Sequence, residues 1–297
     1  MRFYLLLHFA VLLWGLTAIL GKVIHLSPLP MMWWRTFITA SGLGVILFFK
    51  NKSLKLSIPA REHLKKMAFV GFLIAVHWLL FYASIKVSNA SVCLAGFGTG
   101  TLFTALLEPL IDKKPLRWQE IVISVWVLIA VYILAQADIS MLLGLVLSAL
   151  SAFFSSLFTI LNKKITNLHS PFVISFYEML FACGVLTFFM PVSLFYEKAD
   201  FLPPFSMDWA YLMVLSLFCT IVAFSISVLV VRKLSAFMVT LTTNLEPVYG
   251  ILIAYFCFPE TELMTVYFYL GAFMLISSVL LYSYLKKSSM LKLKKQS

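Results

Sequence analysis

Arg232-Lys-Leu-Ser-Ala-Phe-Met-Val-Thr-Leu-Thr-Thr-Asn-Leu-Glu-Pro-Val-Tyr-Gly-Ile-Leu-Ile-Ala-Tyr-Phe-Cys-Phe258 is the stretch that decides how the chain is read. From Leu234 to Phe258 it is almost wholly apolar, and a helix needs about 20 such residues to cross a bilayer core. Its middle nevertheless holds Thr242, Thr243, Asn244, Glu246 and Pro247. A carboxylate near mid-bilayer costs about 3 kcal/mol even on insertion scales, and such groups face a bundle interior or a wet cavity. Pro247 lacks a backbone N–H, so one carbonyl of the helix loses its donor. Backbone breaks survive at membrane depth only against protein or a hydrated cavity. This helix is therefore expected to face a polar interior. Glu246 either serves a site there or pairs with a cation on another helix.

The rest of the chain has the same character. Its 297 residues are 62% hydrophobic and 12% charged, with a mean hydropathy of +0.99; soluble domains carry about 25% charged residues. The net charge of +11 comes from short basic clusters between apolar runs. That is the pattern of membrane orientation signals, and with no basic-aromatic module in the chain it argues against a nucleic-acid partner. Cys93, Cys183, Cys219 and Cys257 all lie inside apolar runs without metal-ligand spacing, so they read as packing residues and no metal or cofactor is expected. The N-terminal apolar run is too long for a signal h-region and is read as a retained helix.

Ten spans are expected: Tyr4–Ile24, Pro30–Phe49, Met67–Ile85, Ala90–Ile111, Arg117–Gln136, Ile139–Leu161, Phe172–Phe195, Trp209–Val231, Leu234–Phe258 and Leu263–Leu285. The longer connections are Lys50–Lys66 and Tyr196–Asp208. With the N-terminus inside, all 23 lysines and arginines except Lys22, Arg35, Lys86 and Lys198 fall on the inner side. This bias places both termini in the cytoplasm and requires an even number of spans.

An internal repeat divides the chain. Ser27-Pro28 precedes Arg35 as Ser170-Pro171 precedes Glu178, an offset of 143. Lys86 leads Ala90 as Arg232 leads Ala236, an offset of 146. Two halves of five spans would enter the membrane from opposite faces, as in secondary transporters with a mid-membrane site at the repeat interface. The expected division is 1–137 and 138–287, with a basic cytoplasmic tail at 288–297.

The polar residues inside the spans name the candidates. In span three, His77, Phe81 and Ser84 share one helix face and Trp78 and Tyr82 the next. Histidine can donate or accept and aromatic faces suit apolar or cationic groups, so this span fits a pocket for an amphipathic organic molecule. A histidine that only packs helices against a neighbouring hydroxyl fits equally well. In span four, Gly96, Gly100, Thr104 and Glu108 recur every four residues. The glycines read as close packing, and Glu108, near Lys113 and Lys114, reads as an interfacial pair or gate. Trp14 lies near the centre of span one. The repeat places Arg35 near the outer end of span two and Glu178 near the inner end of span seven, as outer and inner gates.

No P-loop, HExxH or GxSxG motif occurs, which argues against a primary pump or a hydrolase. The run His77-Trp78…Tyr82-Ala83-Ser84-Ile85-Lys86…Asn89-Ala90, and Leu234-Ser-Ala…Leu245-Glu-Pro-Val-Tyr-Gly-Ile-Leu-Ile-Ala-Tyr…Pro259-Glu260, resemble the EamA family of the drug/metabolite transporter superfamily. The resemblance covers nearly the whole chain. It implies an all-α integral membrane protein of ten helices in two inverted five-helix repeats, a central cavity, and export or exchange of small metabolites such as amino acids. Thr101 stands where the family has the proline matched here by Pro247.

The expectation is thus a transporter of the inner membrane working by alternating access. Trp14, His77, Phe81, Asn244 and Glu246 would hold a small-molecule substrate, Arg35, Glu178 and Glu108 would act as gates, and a proton could be the coupling ion. A membrane-embedded lipid-modifying enzyme and a channel are the rival readings. A cysteine placed at Ser53 should react with a membrane-impermeant thiol reagent only after the cytoplasmic side is opened; labelling from outside intact cells would reverse the orientation.

Overall fold

Ten helices run back and forth in the computed structural model, which describes residues 2–51, 58–135, 141–195, 198–257 and 266–296. They are α1 (Arg2–Val23), α2 (Pro28–Asn51), α3 (Arg61–Val87), α4 (Ala90–Asp112), α5 (Trp118–Ala135), α6 (Leu142–Ile165), α7 (Pro171–Phe195), α8 (Ser206–Val231), α9 (from Ala236 to Cys257) and α10 (Val266–Gln296). Nine are long and apolar enough to span a bilayer among the described residues. The apolar part of α5, Trp118–Leu134, is about 25 Å long at 1.5 Å per residue, near the lower limit for a span. Parts of both expected loops (52–57 and 196–197), the Pro259-Glu260 pair and the edges of spans five, six, nine and ten lie outside the described residues. Two helices exceed their expected spans the most. α3 begins at Arg61 rather than Met67, because Glu62, His63, Lys65 and Lys66 carry the helix beyond the apolar core. The backbone of α10 continues to Gln296, through a segment without glycine or proline.

The inverted repeat is visible in where helices break. α4 consists of Ala90–Phe97 and Gly100–Asp112; α9 consists of Ala236–Thr243 and Glu246–Cys257. Ala90, Phe97 and Gly100 correspond to Ala236, Thr243 and Glu246, each 146 residues on. Both breaks are tightened turns. At the first, the Thr99 amide and hydroxyl both donate to the Gly96 carbonyl. At the second, the Asn244 and Leu245 amides donate three residues back, to Leu241 and Thr242. Asn89 and Ser235 cap the two starts, accepting from the Val92 and Met238 amides, and each thereby satisfies a donor the helix leaves open.

α8 carries a third irregularity, a π-helical turn at Leu217–Val222. Such turns leave carbonyls without their usual partners and occur often at functional sites. Here the Thr220 hydroxyl donates to the Leu215 carbonyl, the Ser216 carbonyl accepts from Thr39, and the Cys219 carbonyl accepts from the Trp14 indole.

The buried side chains form two main clusters. One joins α2, α3, α7 and α8; the other joins α4, α5, α9 and α10 with the start of α1. The outward faces of the bundle are rich in exposed large apolar side chains such as Phe188, Phe195, Leu280 and Phe273, which suits lipid rather than water. α1 crosses α9 backbone to backbone: a Cβ on Gly250 would sit 2.9 Å from the Gly15 carbonyl oxygen. Gly250→Ala must push these helices apart, an overpacking that typically costs about 1–3 kcal/mol, and should lower the melting temperature. Gly184→Ala, whose Cβ would meet nothing within 4 Å, should not lower it, since alanine is the better helix former. Equal melting of the two variants would contradict this packing.

Candidate functional site

A cavity of about 70 Å³ lies between the two buried clusters, with room for several waters. Its wall draws on α1, α2, α3, α4, α6, α8 and α9, so both repeats contribute. One end lies at Arg35 and Tyr82, and the other reaches Ser227, Val239 and Thr240. The latter end points towards the face of the bundle from which α1 starts, called here the terminal face.

Arg35 is the charged residue at the first of these ends. It is only 2% exposed, and α2 presents it under the π turn of α8. Its Nε donates to Thr220 Oγ1 (2.8 Å) and its Nη1 to Tyr82 Oη (3.3 Å). The guanidinium carbon lies 3.9 Å from the centroid of the Trp78 ring, a cation–π contact strengthened by desolvation. Arginine carries five N–H donors, and among the described residues its Nη2 has no acceptor. No carboxylate lies within ion-pair distance of Arg35 among the described residues.

Glu246 faces it from α9. It opens the second piece of that helix, where the helix dipole favours a negative charge. Its Oε1 accepts from Thr17 Oγ1 at 3.0 Å. That hydroxyl also lies 2.7 Å from the Trp14 carbonyl, and the Thr17 carbonyl accepts from Tyr82 Oη at 3.3 Å. Arg35 and Glu246 are therefore joined through Tyr82 and Thr17 rather than to each other. Both charges stay available to the cavity.

The remaining wall is aromatic. His77 stacks on Phe97 at 5.6 Å and lies 5.5 Å from Phe158. Its Nδ1 sits 3.0 Å from the Ser151 carbonyl and 2.7 Å from Ser151 Oγ. A carbonyl only accepts, so Nδ1 carries the proton. Ser151 in turn donates to the His77 carbonyl. The histidine thus ties α3 to α6 through Nδ1 and lines the cavity with its ring.

Of the residues expected in the cavity, the structure brings together Trp14, His77, Phe81 and Glu246, and it adds Arg35 to them. It does not bring Asn244, whose side chain turns back to donate to the Thr240 carbonyl of its own helix (3.0 Å). Asn244 serves the helix break instead. Glu178 also lies elsewhere, fully buried beside Asn162. Glu108 is not paired with Lys113 or Lys114. It binds Lys163 of α6 at 2.6 Å and accepts the Phe237 amide at the start of α9 at 3.2 Å, clipping three helices together near the terminal face. Phe97, Phe158, Phe224 and Thr220 carry no sequence signal that separates them from the other residues of an aromatic-rich, apolar chain.

Thr220→Val keeps the shape of its side chain and removes the acceptor of a charge-assisted hydrogen bond. Such losses typically cost about 1.5–3 kcal/mol, so the purified variant should melt at a clearly lower temperature. A melt identical to wild type would mean that Thr220 does not hold Arg35.

The comparisons agree with this architecture. No curated protein matches the chain. A crystal structure of a protein 13% identical to it superposes with a TM-score of 0.77, covering 97% of this chain and 98% of that one. At that identity the likeness shows a common fold alone. The family model described as the EamA-like transporter family matches residues 1–136 and again 142–284, one match for each five-helix half. The chain is a multi-pass membrane protein of ten helices in two inverted repeats, and it belongs to the EamA-like transporter family.

Proposed function

We propose that this protein is a secondary transporter that exports or exchanges a small amphipathic, amino-acid-like solute by alternating access. The observation that carries the reading is a cavity lined by both a guanidinium and a carboxylate that form no ion pair with each other. A zwitterion with an apolar side group meets all three surfaces. Its carboxylate would take the unused donors of Arg35, a pairing that can be bidentate. Its ammonium would sit against Glu246 and its side group among Phe81, Phe97 and Phe158. Burial of apolar surface would supply most of the affinity, with the few polar groups fixing orientation.

The proposed location is the inner membrane with both termini in the cytoplasm, from the distribution of lysine and arginine. The terminal face is then cytoplasmic. A cavity that ends at Arg35 and extends towards Ser227 and Thr240 is read here as an inward-facing or occluded state. Arg35 acts as the outer gate in this reading: its bonds to Thr220 of the second repeat and Tyr82 of the first tie the halves together above the substrate. Glu108, with Lys163 and the Phe237 amide, occupies the corresponding position below.

A coupling proton fits Glu246. One hydroxyl proton on Thr17 has two acceptors, the Trp14 carbonyl and Glu246 Oε1. An ionised Glu246 accepts a hydrogen bond from the Thr17 hydroxyl. A protonated Glu246 donates to Thr17, which then donates to Trp14. Both protonation states are hydrogen-bonded without rearrangement, as a carrier of protons requires.

Glu246→Gln separates the roles in proteoliposomes tested with apolar amino acids. As proton carrier, Glu246 predicts loss of pH-gradient-driven uptake with counterflow retained. As ammonium clamp only, it predicts loss of both together with binding. Wild-type driven transport in a folded glutamine variant would remove both roles.

A further inference from the structure

Glu178 is a second buried carboxylate that the cavity does not use. It lies eight residues into α7 and is 0% exposed. Among the described residues no cation stands within ion-pair distance of it. Of the charged and titratable groups on the surrounding elements, Arg61, Glu62, Lys65 and Lys66 of α3 are exposed, and others are engaged elsewhere. Lys163 and Lys164 of α6 bind Glu108 and Asp112. On α3, His63 is bonded to His169 and His77 to Ser151. Lys50 of α2 lies over Phe172, and Arg232, at the end of α8, binds Asn167. On α7 itself, Tyr177 meets Phe176 edge-to-face, and the Cys183 carbonyl accepts from the Thr187 hydroxyl. An isolated carboxylate ion in such a place is among the costliest things a membrane protein can contain.

The hydrogen bonds around it are half complete. Asn162 Nδ2 donates to Glu178 Oε2 at 3.3 Å. Glu178 Oε1 and Asn162 Oδ1 are both buried and both lack a partner. Each is an acceptor when the glutamate is ionised, so neither can satisfy the other. One proton on Oε1 changes this. A neutral carboxylic acid has one O–H donor, and the primary amide beside it offers its unused oxygen. The result is the planar acid–amide pair, with N–H donating to the carboxyl in one direction and O–H donating to the amide in the other. Two buried orphans are satisfied by a single proton, and the buried charge disappears.

We propose that Glu178 and Asn162 form a proton-binding site, in which a proton on Glu178 Oε1 is held against Asn162 Oδ1 and latches α6 to α7. The position gives the latch leverage. α3 of the first repeat packs against both helices, and at Gly71 its backbone approaches α7 so closely that a Cβ would lie 2.6 Å from the Glu178 carbonyl oxygen. The acid–amide pair therefore closes α6 and α7 around a helix of the opposite repeat, on the half of the bundle near the terminal face. Losing the proton leaves two acceptors facing each other around an unpaired charge, which drives the three helices apart. This site is separate from Glu246 and does not depend on the substrate assigned to the cavity.

Infrared spectroscopy of the full chain in lipid nanodiscs tests it. At neutral pH the wild type should show a carbonyl stretch of a neutral carboxylic acid that is absent from Glu178→Gln. The glutamine variant keeps both bonds as an amide–amide pair, so its melting temperature should match wild type. Folded Glu178→Gln with no loss of that band would show that Glu178 is ionised and overturn the proposal. Asn162→Ala gives an independent reading, because the acid O–H loses its acceptor: the band should move to higher frequency, and an unmoved band would overturn the pairing. The band should persist when sodium replaces potassium at fixed pH. Its disappearance on adding either ion would show a metal-cation site instead and equally overturn the proposal.

Discussion

The structure depends on how a guanidinium is kept inside a membrane without a carboxylate against it. Burying an isolated charge costs several kcal/mol, and Arg35 is nearly inaccessible. Three partial compensations replace an ion pair: the face of Trp78, the hydroxyl of Tyr82 and the hydroxyl of Thr220. Thr220 can serve because α8 is π-helical there. The same turn leaves the Cys219 carbonyl for Trp14 and the Ser216 carbonyl for Thr39. One irregular turn thus fixes α1 and α2 against α8 and holds the charge that faces the cavity. A direct Arg35–Glu246 pair would be more stable in isolation, but it would leave the site without poles.

Three intramembrane glutamates show how environment divides their work. Glu108 has a lysine and a backbone amide, so it fastens helices. Glu246 has only a threonine hydroxyl and a helix N-terminus, and it lines the cavity. Glu178 has only an amide and no space around it. Their sequence contexts are similar, since each stands in an apolar helix. What distinguishes them is the partner that the fold brings.

Much of the fold was legible because lipid imposes simple rules. Span length follows from hydropathy, and the offset between the halves shows in matched positions such as Lys86–Ala90 and Arg232–Ala236. The break in α9 announced itself through Pro247. The matching break in α4 did not: Thr101 stands at the equivalent position, and the chain turns at Gly98 and Thr99 through Thr99's own bonds to Gly96. The π turn was equally silent, because Leu217–Val222 is ordinary apolar helix sequence. At the site, polar residues in apolar spans were strong signals, and Trp14, His77, Phe81 and Glu246 converge. The other aromatic residues of the wall, Phe97, Phe158 and Phe224, were not, since every span offers several. Asn244 misled because an amide at a helix break can serve the backbone as readily as a ligand.

The central claim is that the cavity binds its solute by two charged poles and an aromatic wall. A thermal-shift titration on the purified full-length protein tests it most directly. From a panel of amino acids with apolar side chains, the one with the largest shift is compared with its methyl ester and its N-acetyl derivative. The account predicts that the zwitterion stabilises the protein, and that each derivative, having lost one charge, binds at least about tenfold more weakly, a difference of about 1.4 kcal/mol. Equal shifts from all three forms, or no shift from any member of the panel, would contradict it.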